Sequence, residues 1–466
     1  MADDAAPMLG QSPRWREVFS GRNGRLTAGL LLLEALVAVQ SLIIATIMPD
    51  IRRDLGMTQL YGLAFTASGL STLAAIPLVG TAIDRFGSRH VLPVVLGTFT
   101  LGLFVAASAP AMPILLIGHF ILGAGGGGLY ALSLGVVAKT FPDHLRARVL
   151  ALLAAMWILP GLVGPPLGAL LASTVGWRWV YVAPLPLLLV GAILIAPTLE
   201  GGSPEAPAIA STSLRWPLQL MVGAGLVLTS LTVVRPWALV PIAVGIAIAA
   251  PALAKIVPAG TFRAAPGVPA IALSAFLLSV GFLAMDAFLT LMLTSVRGVS
   301  LTEASLAVTA ACVTWAIGSW WQSGRAQRIP LPRLVLSGTA VLIVGEAAVA
   351  SCLRPSTPVI LAYLGWAIVG AGMGVVFPTL PLATMRLAPS GEEAGELSGV
   401  LLMDMLGVSA GAGLGGGAVA VSAAFGLSLS AGIGGSFAIG LIALLALAVT
   451  GRRIDLATDP AVGTTR

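Results

Sequence analysis

Four acidic side chains lie inside long apolar stretches of the chain: Glu34, Asp286, Glu346 and Asp404. A charged side chain at the centre of a bilayer costs about 2.5 to 3.5 kcal/mol on insertion scales, so such residues face a bundle interior or an aqueous cavity. No lysine or arginine lies deep in these stretches to neutralise them. Burial of an unpaired carboxyl favours its protonated form. The chemistry that these residues offer is therefore proton exchange or the binding of a cationic group.

The four carboxyls differ as candidates. Asp286 lies near the middle of its apolar stretch and Asp404 lies between two methionines, so they are the first candidates for a coupling site. Glu34 lies about 7 residues, or roughly 10 Å, into the first apolar stretch, where lining a vestibule is the alternative role. For Glu346 the alternative is a hydrogen bond between helices.

His119 also lies in an apolar stretch. An imidazole titrates near neutral pH and could take part in a proton pathway. A hydrogen-bonded packing role is equally consistent with this placement, and both interpretations stay open.

Large apolar side chains around these positions predict a soft binding cavity. The candidates are Trp157, Met285, Phe288, Trp315 and Met403. Flexible methionines suit binding of varied substrates. Since apolar residues occur throughout such stretches, ordinary packing is the alternative.

The elements that position these residues follow from composition. The 466 residues are 57% hydrophobic and 9% charged, with a mean hydropathy of +0.99. Soluble domains carry about 25% charged residues, so the composition excludes an ordinary soluble enzyme. The net charge of +6 is spread over many short loops, which argues against nucleic-acid binding.

No cofactor is expected. The glycine run 123–128 matches G-x-G-x-x-G in form, but it lies within an apolar stretch instead of a soluble βαβ unit. The sequence also lacks a paired nucleophile and base or a metal-ligand cluster, which disfavours an intramembrane enzyme.

Fourteen stretches have the length of about 20 apolar residues that a helix needs to cross a bilayer. Their approximate bounds are 27–48, 60–83, 91–108, 113–137, 149–174, 179–198, 217–234, 237–258, 268–295, 301–322, 333–352, 358–384, 395–420 and 424–449. Nineteen of the 25 lysines and arginines fall on the side of the N-terminus, which predicts that both termini are cytoplasmic.

The chain contains an internal repeat. A shift of 247 residues aligns Gly123 with Gly370 and Lys139 with Arg386, and it continues into the next stretch. The matched stretches are the fourth and twelfth, then the fifth and thirteenth, so the two repeats have the same orientation. Two parallel six-helix halves with an inserted helix pair account for fourteen spans. Twelve spans are the alternative, since the distribution of lysines and arginines requires an even number, and the tight hairpin at Arg235 and Pro236 favours fourteen.

The loop after the second stretch carries Gly80, Asp84, Arg85, Gly87 and Arg89. This spacing resembles the G-x-x-x-D-R-x-G-R-R/K signature of the major facilitator superfamily. In that family the loop latches the two halves together on the cytoplasmic side. The resemblance implies the same role here.

The fifth stretch carries Gly161, Gly164, Pro165 and Gly168. It resembles the antiporter motif G-x-x-x-G-P-x-x-G-G of drug:proton exporters, with proline and alanine replacing the first and last glycines. Close packing of helices at small residues is the alternative explanation. The chain most resembles the fourteen-span drug:proton antiporters of this superfamily. It departs from them at two positions, since Gln40 stands where they usually have aspartate and His119 where they have arginine.

The resemblance implies an all-α integral membrane protein with the major facilitator fold. Two parallel six-helix repeats and an inserted two-helix hairpin would give 14 transmembrane helices. The expected parts are a cytoplasmic tail at 1–26, a bundle at 27–198, a cytoplasmic linker at 199–216, the inserted pair at 217–258, a second bundle at 268–449 and a cytoplasmic tail at 450–466.

The same resemblance implies a secondary active transporter that exports amphipathic or lipophilic drug-like molecules by alternating access, in exchange for protons. Export of a lipid or another endogenous amphiphile, and proton-coupled uptake, are the alternatives. The expected partners are a small-molecule substrate, protons and the lipid bilayer, without nucleic acid. The chain is expected to act as a monomer in a bacterial cell membrane.

Overall fold

The apolar stretches form helices because a helix satisfies its backbone hydrogen bonds internally, as lipid requires. The computed structural model describes residues 15–156, 158–199, 214–326, 328–389 and 393–454, and this part of the chain is helical without strands. The helices are α1 (Trp15–Val18), α2 (Gly21–Leu55), α3 (Tyr61–Phe86), α4 (Ser88–Ala107), α5 (Met112–Thr140), α6 (Asp143–Ala155), α7 (Ile158–Thr174), α8 (Arg178–Val182), α9 (Leu185–Ile195), α10 (Arg215–Ser230), α11 (Leu239–Ile256), α12 (Val268–Leu291), α13 (Leu301–Ser323), α14 (Leu331–Ser351), α15 (Ile360–Leu387), α16 (Glu393–Ala424) and α17 (Leu429–Thr450). A π-helical segment, Met292–Val296, directly follows α12.

Twelve helical segments of the described chain are long and apolar enough to cross a membrane, so the protein is a multi-pass membrane protein. The predicted count of fourteen spans is not confirmed. The helices in the fifth and seventh predicted stretches, α7 and α10, have only 17 and 16 residues. The fifth stretch is divided between α6 and α7, and α10 ends before its predicted limit.

Helix packing follows the same pattern in two sets of helices. In the first bundle, α5 packs against α3 and α4, and α2 packs against α7 and α9. In the second bundle, α15 packs against α13 and α14, and α12 packs against α16 and α17. The second set reproduces the pairings of the first in chain order, which is the pattern that a duplicated six-helix unit produces.

Close contacts at glycines underlie this pairing. A Cβ on Gly123 would overlap the Ser68 carbonyl of α3, and a Cβ on Gly370 would overlap the Ala311 carbonyl of α13. Helix association in lipid depends on such close backbone packing because the tails are as apolar as the side chains. The shared glycines of the repeat are therefore crossing points between helices.

The bundles meet at two seams, one between α3 and α16 and the other between α7 and α13. A Cβ on Gly62 would lie 2.7 Å from the Gly416 Cα, and a Cβ on Gly161 would lie 2.7 Å from the Cys312 Cβ. Each seam therefore contains a contact that only glycine permits.

The first helices of the two bundles, α2 and α12, run in the same direction. Near the end of α2, Arg52 donates a hydrogen bond to Ser295 in the π-helical segment after α12. At the other end of α12, the hydroxyls of Ser274 and Thr450 are hydrogen-bonded, which places the end of α17 beside the start of α12. We call the end of the molecule with Gly21 and Thr450 the tail face, and the end with Arg52 and Ser295 the far face.

The helices between the bundles form a closely crossed pair. A Cβ on Gly223 of α10 would lie 2.6 Å from the Gly245 carbonyl oxygen of α11. Helix α10 also packs against α3 and α16, whereas α11 is mostly exposed. The pair therefore attaches to the molecule at the α3–α16 seam.

Two neighbouring glycines of α5 allow a matched test of this packing. The Gly123→Ala variant is expected to lose about 1 to 3 kcal/mol of unfolding free energy, because its methyl group overlaps α3. The Gly126→Ala variant is expected to be as stable as the wild type or more so, since the nearest atoms to a Cβ there are 3.8 Å away and alanine favours helix. Denaturant unfolding in detergent micelles measures both, and equal stabilities would contradict the assigned crossing.

Candidate functional site

Two of the predicted carboxyls approach the same hydroxyl from opposite bundles. Glu34 on α2 and Asp404 on α16 both lie within electrostatic range of the Tyr130 hydroxyl on α5. Asp404 also accepts a hydrogen bond from the Ser279 hydroxyl of α12. Both carboxyls are buried, while Tyr130 is partly exposed. The Tyr130 hydroxyl is thus a polar group shared by two acids that belong to opposite bundles.

Asp286 lies at a second level of the same interface. It is seven residues beyond Ser279 on α12, or about 10 Å further along the helix towards the far face. The Tyr61 hydroxyl of α3 and the Cys312 thiol of α13 lie within electrostatic range of its carboxyl. Asp286 therefore lies close to helices of both bundles, as a coupling group requires.

The far face above Asp286 is closed by contacts between the bundles. The rings of Tyr61 and Phe288 pack with their centroids 5.3 Å apart. Arg52 Nη2 donates to Ser295 Oγ at 2.9 Å. The Tyr61 hydroxyl is buried and has no hydrogen-bond partner in the described chain. An unpaired buried hydroxyl beside a carboxyl is available to a proton or a substrate.

His119 lies inside the first bundle, away from this interface. Its Nδ1 is 3.1 Å from the Ala64 carbonyl oxygen, and its Nε2 is 2.8 Å from the Tyr181 hydroxyl. A carbonyl oxygen only accepts, so Nδ1 donates to Ala64 and Nε2 accepts from Tyr181. The neutral ring is thus fully hydrogen-bonded between α3, α5 and α8, which favours the packing interpretation over the proton pathway.

Glu346 lies inside the second bundle. Its side chain is fully buried, and a Cβ on Gly440 of α17 would lie 3.2 Å from its Oε2. The same point on Gly440 is 2.9 Å from the Gly281 carbonyl oxygen of α12. Neither carboxyl oxygen has a hydrogen-bond partner among the described residues. The expected hydrogen bond between helices is therefore not formed.

Gln40 is the second unpaired polar group that the sequence singled out. It is buried on α2, and neither its amide oxygen nor its amide nitrogen has a hydrogen-bond partner within the described ranges. Burial without a partner costs free energy. The amide therefore has unused capacity to bind a polar group.

The predicted cavity residues are packed side chains in this conformation. Met285, Phe288 and Met403 are buried. Trp315 is half-buried, with its ring centroid 5.7 Å from that of Phe282. Trp157 lies outside the described residues.

Comparison with known sequences identifies the family. The sequence profile of the major facilitator superfamily matches residues 30–412. The chain belongs to the major facilitator superfamily. It is therefore a membrane transporter and not an enzyme.

Relatives and solved structures agree with this assignment. The chain is 28% identical to a probable multidrug-efflux transporter of Mycobacterium tuberculosis, over 86% of this chain and 88% of that protein. It is 26% identical to the multidrug transporter protein MdtP of Bacillus subtilis, over 79% of this chain and 70% of that one. Among solved structures, a D-xylose-proton symporter has a TM-score of 0.65 at 15% identity, with 92% of this chain and 97% of that chain covered. A bacterial homologue of the lysosomal transporter Spinster has a TM-score of 0.65 at 15% identity, with coverage of 93% and 98%.

The major facilitator signature covers the end of α3, the turn at Gly87 and the start of α4 on the tail face. Gly87 has φ +78°, a conformation that glycine adopts without strain. Asp84 forms an ion pair of 2.8 Å with Lys139 of α5, in the same bundle. Arg85 and Arg89 are exposed. Gly80 lies on α3 with open space around it, since nothing is within 4 Å of a Cβ position there. The acidic residue of the signature thus links helices of one bundle in this conformation.

The antiporter-like motif lies on α7, between two packing partners. A Cβ on Gly161 would meet Cys312 of α13, whereas Cβ atoms on Gly164 and Gly168 would meet Ile43 of α2. Pro165 lies within the helix. In this major facilitator protein the small residues thus let α7 pack closely on its own bundle and on the opposite one.

Sequence reasoning missed the neutral partners of the carboxyls. Tyr61, Tyr130 and Ser279 lie beside Asp286 or Asp404 but occur far from them in the chain. Their residue types are common in membrane helices, and no spacing pattern distinguishes them. Only the packing of the bundles identifies them.

The hydrogen bonds of His119 generate a stability prediction. The Tyr181→Phe variant leaves a buried Nε2 without its donor, so we expect a loss of about 1 to 3 kcal/mol of unfolding free energy. The Tyr130→Phe variant removes a partly exposed hydroxyl and is expected to keep wild-type stability. Denaturant titrations in micelles compare the two. An equal loss in both variants would argue against the packing role of His119.

Proposed function

We propose that this major facilitator protein exports amphipathic or lipophilic small molecules by alternating access, in exchange for protons. Relatives described as multidrug-efflux transporters match most of the chain and support the substrate class. The observation that carries proton exchange is the pair of buried carboxyls, Glu34 and Asp404, which lie on opposite bundles and are both within electrostatic range of Tyr130. They belong to opposite bundles, so rocking of the bundles changes their separation and their access to water.

The carboxyls divide into two levels with different tasks. Asp404 is hydrogen-bonded to Ser279, Glu34 is within electrostatic range of the same tyrosine as Asp404, and Asp286 lies about 10 Å nearer the far face. We propose that Asp286 exchanges its proton with the far side and that Asp404 and Glu34 exchange theirs with the tail side. A carboxylate at either level attracts a cationic substrate, and protonation removes that attraction. Substrate binding and proton binding thereby exclude each other, which is the condition for exchange.

Two predicted groups have other tasks in this proposal. His119 holds α3, α5 and α8 together as a neutral ring. Glu346 lies at the contact of α12, α14 and α17 inside one bundle, so rocking of the bundles does not expose it. Gln40 takes the place of the family's aspartate as a neutral polar group that can bind substrate.

The membrane arrangement in this proposal keeps fourteen spans. Helix α7 packs against α2 and α13, and α10 packs against α3 and α16, so both short helices lie among the spans. The bundles are residues 27–198 and 268–449, the inserted pair is 217–258, and 199–216 links them. The tail face is the cytoplasmic side of a bacterial cell membrane, and the tails, 1–26 and 450–466, lie in the cytoplasm. Residues 1–14, 157, 200–213, 327, 390–392 and 455–466 of these parts lie outside the described structure.

Substrate-driven proton movement in proteoliposomes tests the proposal. Vesicles that contain a pH-sensitive dye and the purified protein receive a lipophilic cation or a neutral amphiphile. We expect wild-type protein to move protons on addition of substrate and the Asp286→Asn variant to abolish this movement, because an amide cannot exchange a proton at neutral pH. Glu346→Gln is the matched control, and it is expected to retain the wild-type response.

The other outcomes separate the alternatives. Transport of substrate without proton movement would refute exchange and favour lipid export or facilitated diffusion. An Asp286→Asn variant that equals the wild type, or a Glu346→Gln variant that loses the response, would reject the assignment of the two carboxyls.

A further inference from the structure

The α3–α16 and α7–α13 seams are equivalent in the internal repeat. A Cβ on Gly127 would contact the carbonyl oxygen of Thr72 on α3, and a Cβ on Gly374 would contact that of Trp315 on α13. Each residue of α3 therefore corresponds to the residue 243 positions later on α13. The repeat likewise relates α7 to α16, with a shift of 247 residues. Matched positions of the two seams can therefore be compared directly.

Helix α10 covers one seam and not the other. The Leu70 side chain of α3 is 3.6 Å from a Cβ position on Gly225 of α10. Leu228 of α10 is 3.0 Å from a Cβ position on Gly413 of α16. A single helix therefore touches both sides of the α3–α16 seam.

Side-chain exposure at matched positions shows the effect of this cover. On α13, Val313 is 39% exposed and Ile317 is 58% exposed. Their counterparts on α3, Leu70 and Ala74, are 5% and 3% exposed. The side chains on both helices are apolar, so polarity does not explain the difference, and the buried pair lies on the helix against which α10 packs.

The same contrast holds for the other helix of each seam. Leu159 of α7 is 60% exposed, while its counterpart Leu406 of α16 is 8% exposed. The α7–α13 seam thus presents apolar side chains from both bundles directly to lipid.

The contacts within the two seams also differ. In the covered seam the Thr66 hydroxyl of α3 donates to the Ser409 carbonyl oxygen of α16 at 3.1 Å. In the uncovered seam the small Cys312 side chain lies against Gly161. The Asp286 carboxyl is within electrostatic range of the Cys312 thiol. A residue of the uncovered seam is therefore within electrostatic range of a carboxyl of the second bundle.

We propose that an amphipathic cation dissolved in the bilayer enters this protein between α7 and α13, while the α10–α11 pair closes the equivalent route between α3 and α16. The apolar part of such a molecule matches the exposed leucine and valine side chains of the seam. Its charge is complementary to Asp286, which is within electrostatic range of the seam residue Cys312. This inference rests on the proposed function, and it assigns the inserted helix pair the role of restricting substrate to one side of the transporter.

Single-cysteine variants test the route. In a background with Cys312→Ala and Cys352→Ser, three variants each carry one thiol: Val313→Cys at the uncovered seam, Leu70→Cys at the matched covered position, and Val344→Cys on the exposed face of α14. A long-chain N-alkyl maleimide reaches thiols from the bilayer. We expect it to label Val313→Cys and Val344→Cys but not Leu70→Cys.

Transport of tetraphenylphosphonium by the labelled vesicles is then measured. Labelling of the Val313→Cys variant should reduce the rate to that of vesicles without protein, whereas labelling of Val344→Cys should leave the rate unchanged. Unchanged transport after labelling of Val313→Cys would overturn the proposal. The proposal would also be overturned if labelling of the Val344→Cys variant inhibited transport as strongly as labelling of Val313→Cys. The same holds if the Leu70→Cys variant were readily labelled and equally inhibited.

A second measurement separates this inference from the proposed function. A photoreactive tetraphenylphosphonium derivative, dissolved in the bilayer of vesicles with wild-type protein, is activated and the labelled peptides are identified. This readout does not require transport. Adducts on α7 and α13 support the route, whereas adducts on α3 and α16 overturn it. If the unlabelled single-cysteine variants and the wild type fail to transport the cation, the proposed function fails, and the photolabelling still decides where the cation binds.

Discussion

Direct backbone contact at glycine positions is the interaction on which the rest of this structure depends. In lipid, moving an apolar side chain from the acyl chains into a helix contact gains little free energy, so helices associate through close packing. Gly123 and Gly370 bring α5 and α15 against their neighbours within each bundle, and Gly62 and Gly161 bring the bundles together. One set of glycines thus holds each bundle together, and another set brings the two bundles into contact.

Most of the architecture could be predicted from the sequence, because its signals are repetitive. The glycine pattern at a fixed shift and the apolar stretches indicated paired six-helix units, and the helix pairings follow that plan. The lengths of α7 and α10 could not be predicted in this way. Hydropathy measures how apolar a stretch is, whereas helix ends depend on local backbone geometry around prolines, glycines and tight connections.

The candidate site was less accessible to sequence reasoning. A carboxyl in an apolar stretch signals burial at a cost, but it does not reveal which neighbours offset that cost. Asp404 has the Ser279 hydroxyl, whereas Glu346 has no hydrogen-bond partner in the described chain. Both look alike in the sequence. Which of them faces the opposite bundle depends on the rotation of each helix about its axis, and that rotation is fixed by contacts between residues hundreds of positions apart.

The π-helical segment at the end of α12 affects how the far face opens. Its five residues, Met292–Val296, include Ser295, which accepts the hydrogen bond from Arg52. A hydrogen bond to a charged group contributes about 1.5 to 3 kcal/mol, only a few multiples of RT. Wide helical turns of this kind are rare, and they accommodate one residue more than an α-helical turn. A shift of register in this single turn would move Ser295 away from Arg52 while the rest of α12 stays straight. The contact would then open through a local change in one helical turn, without bending of α12.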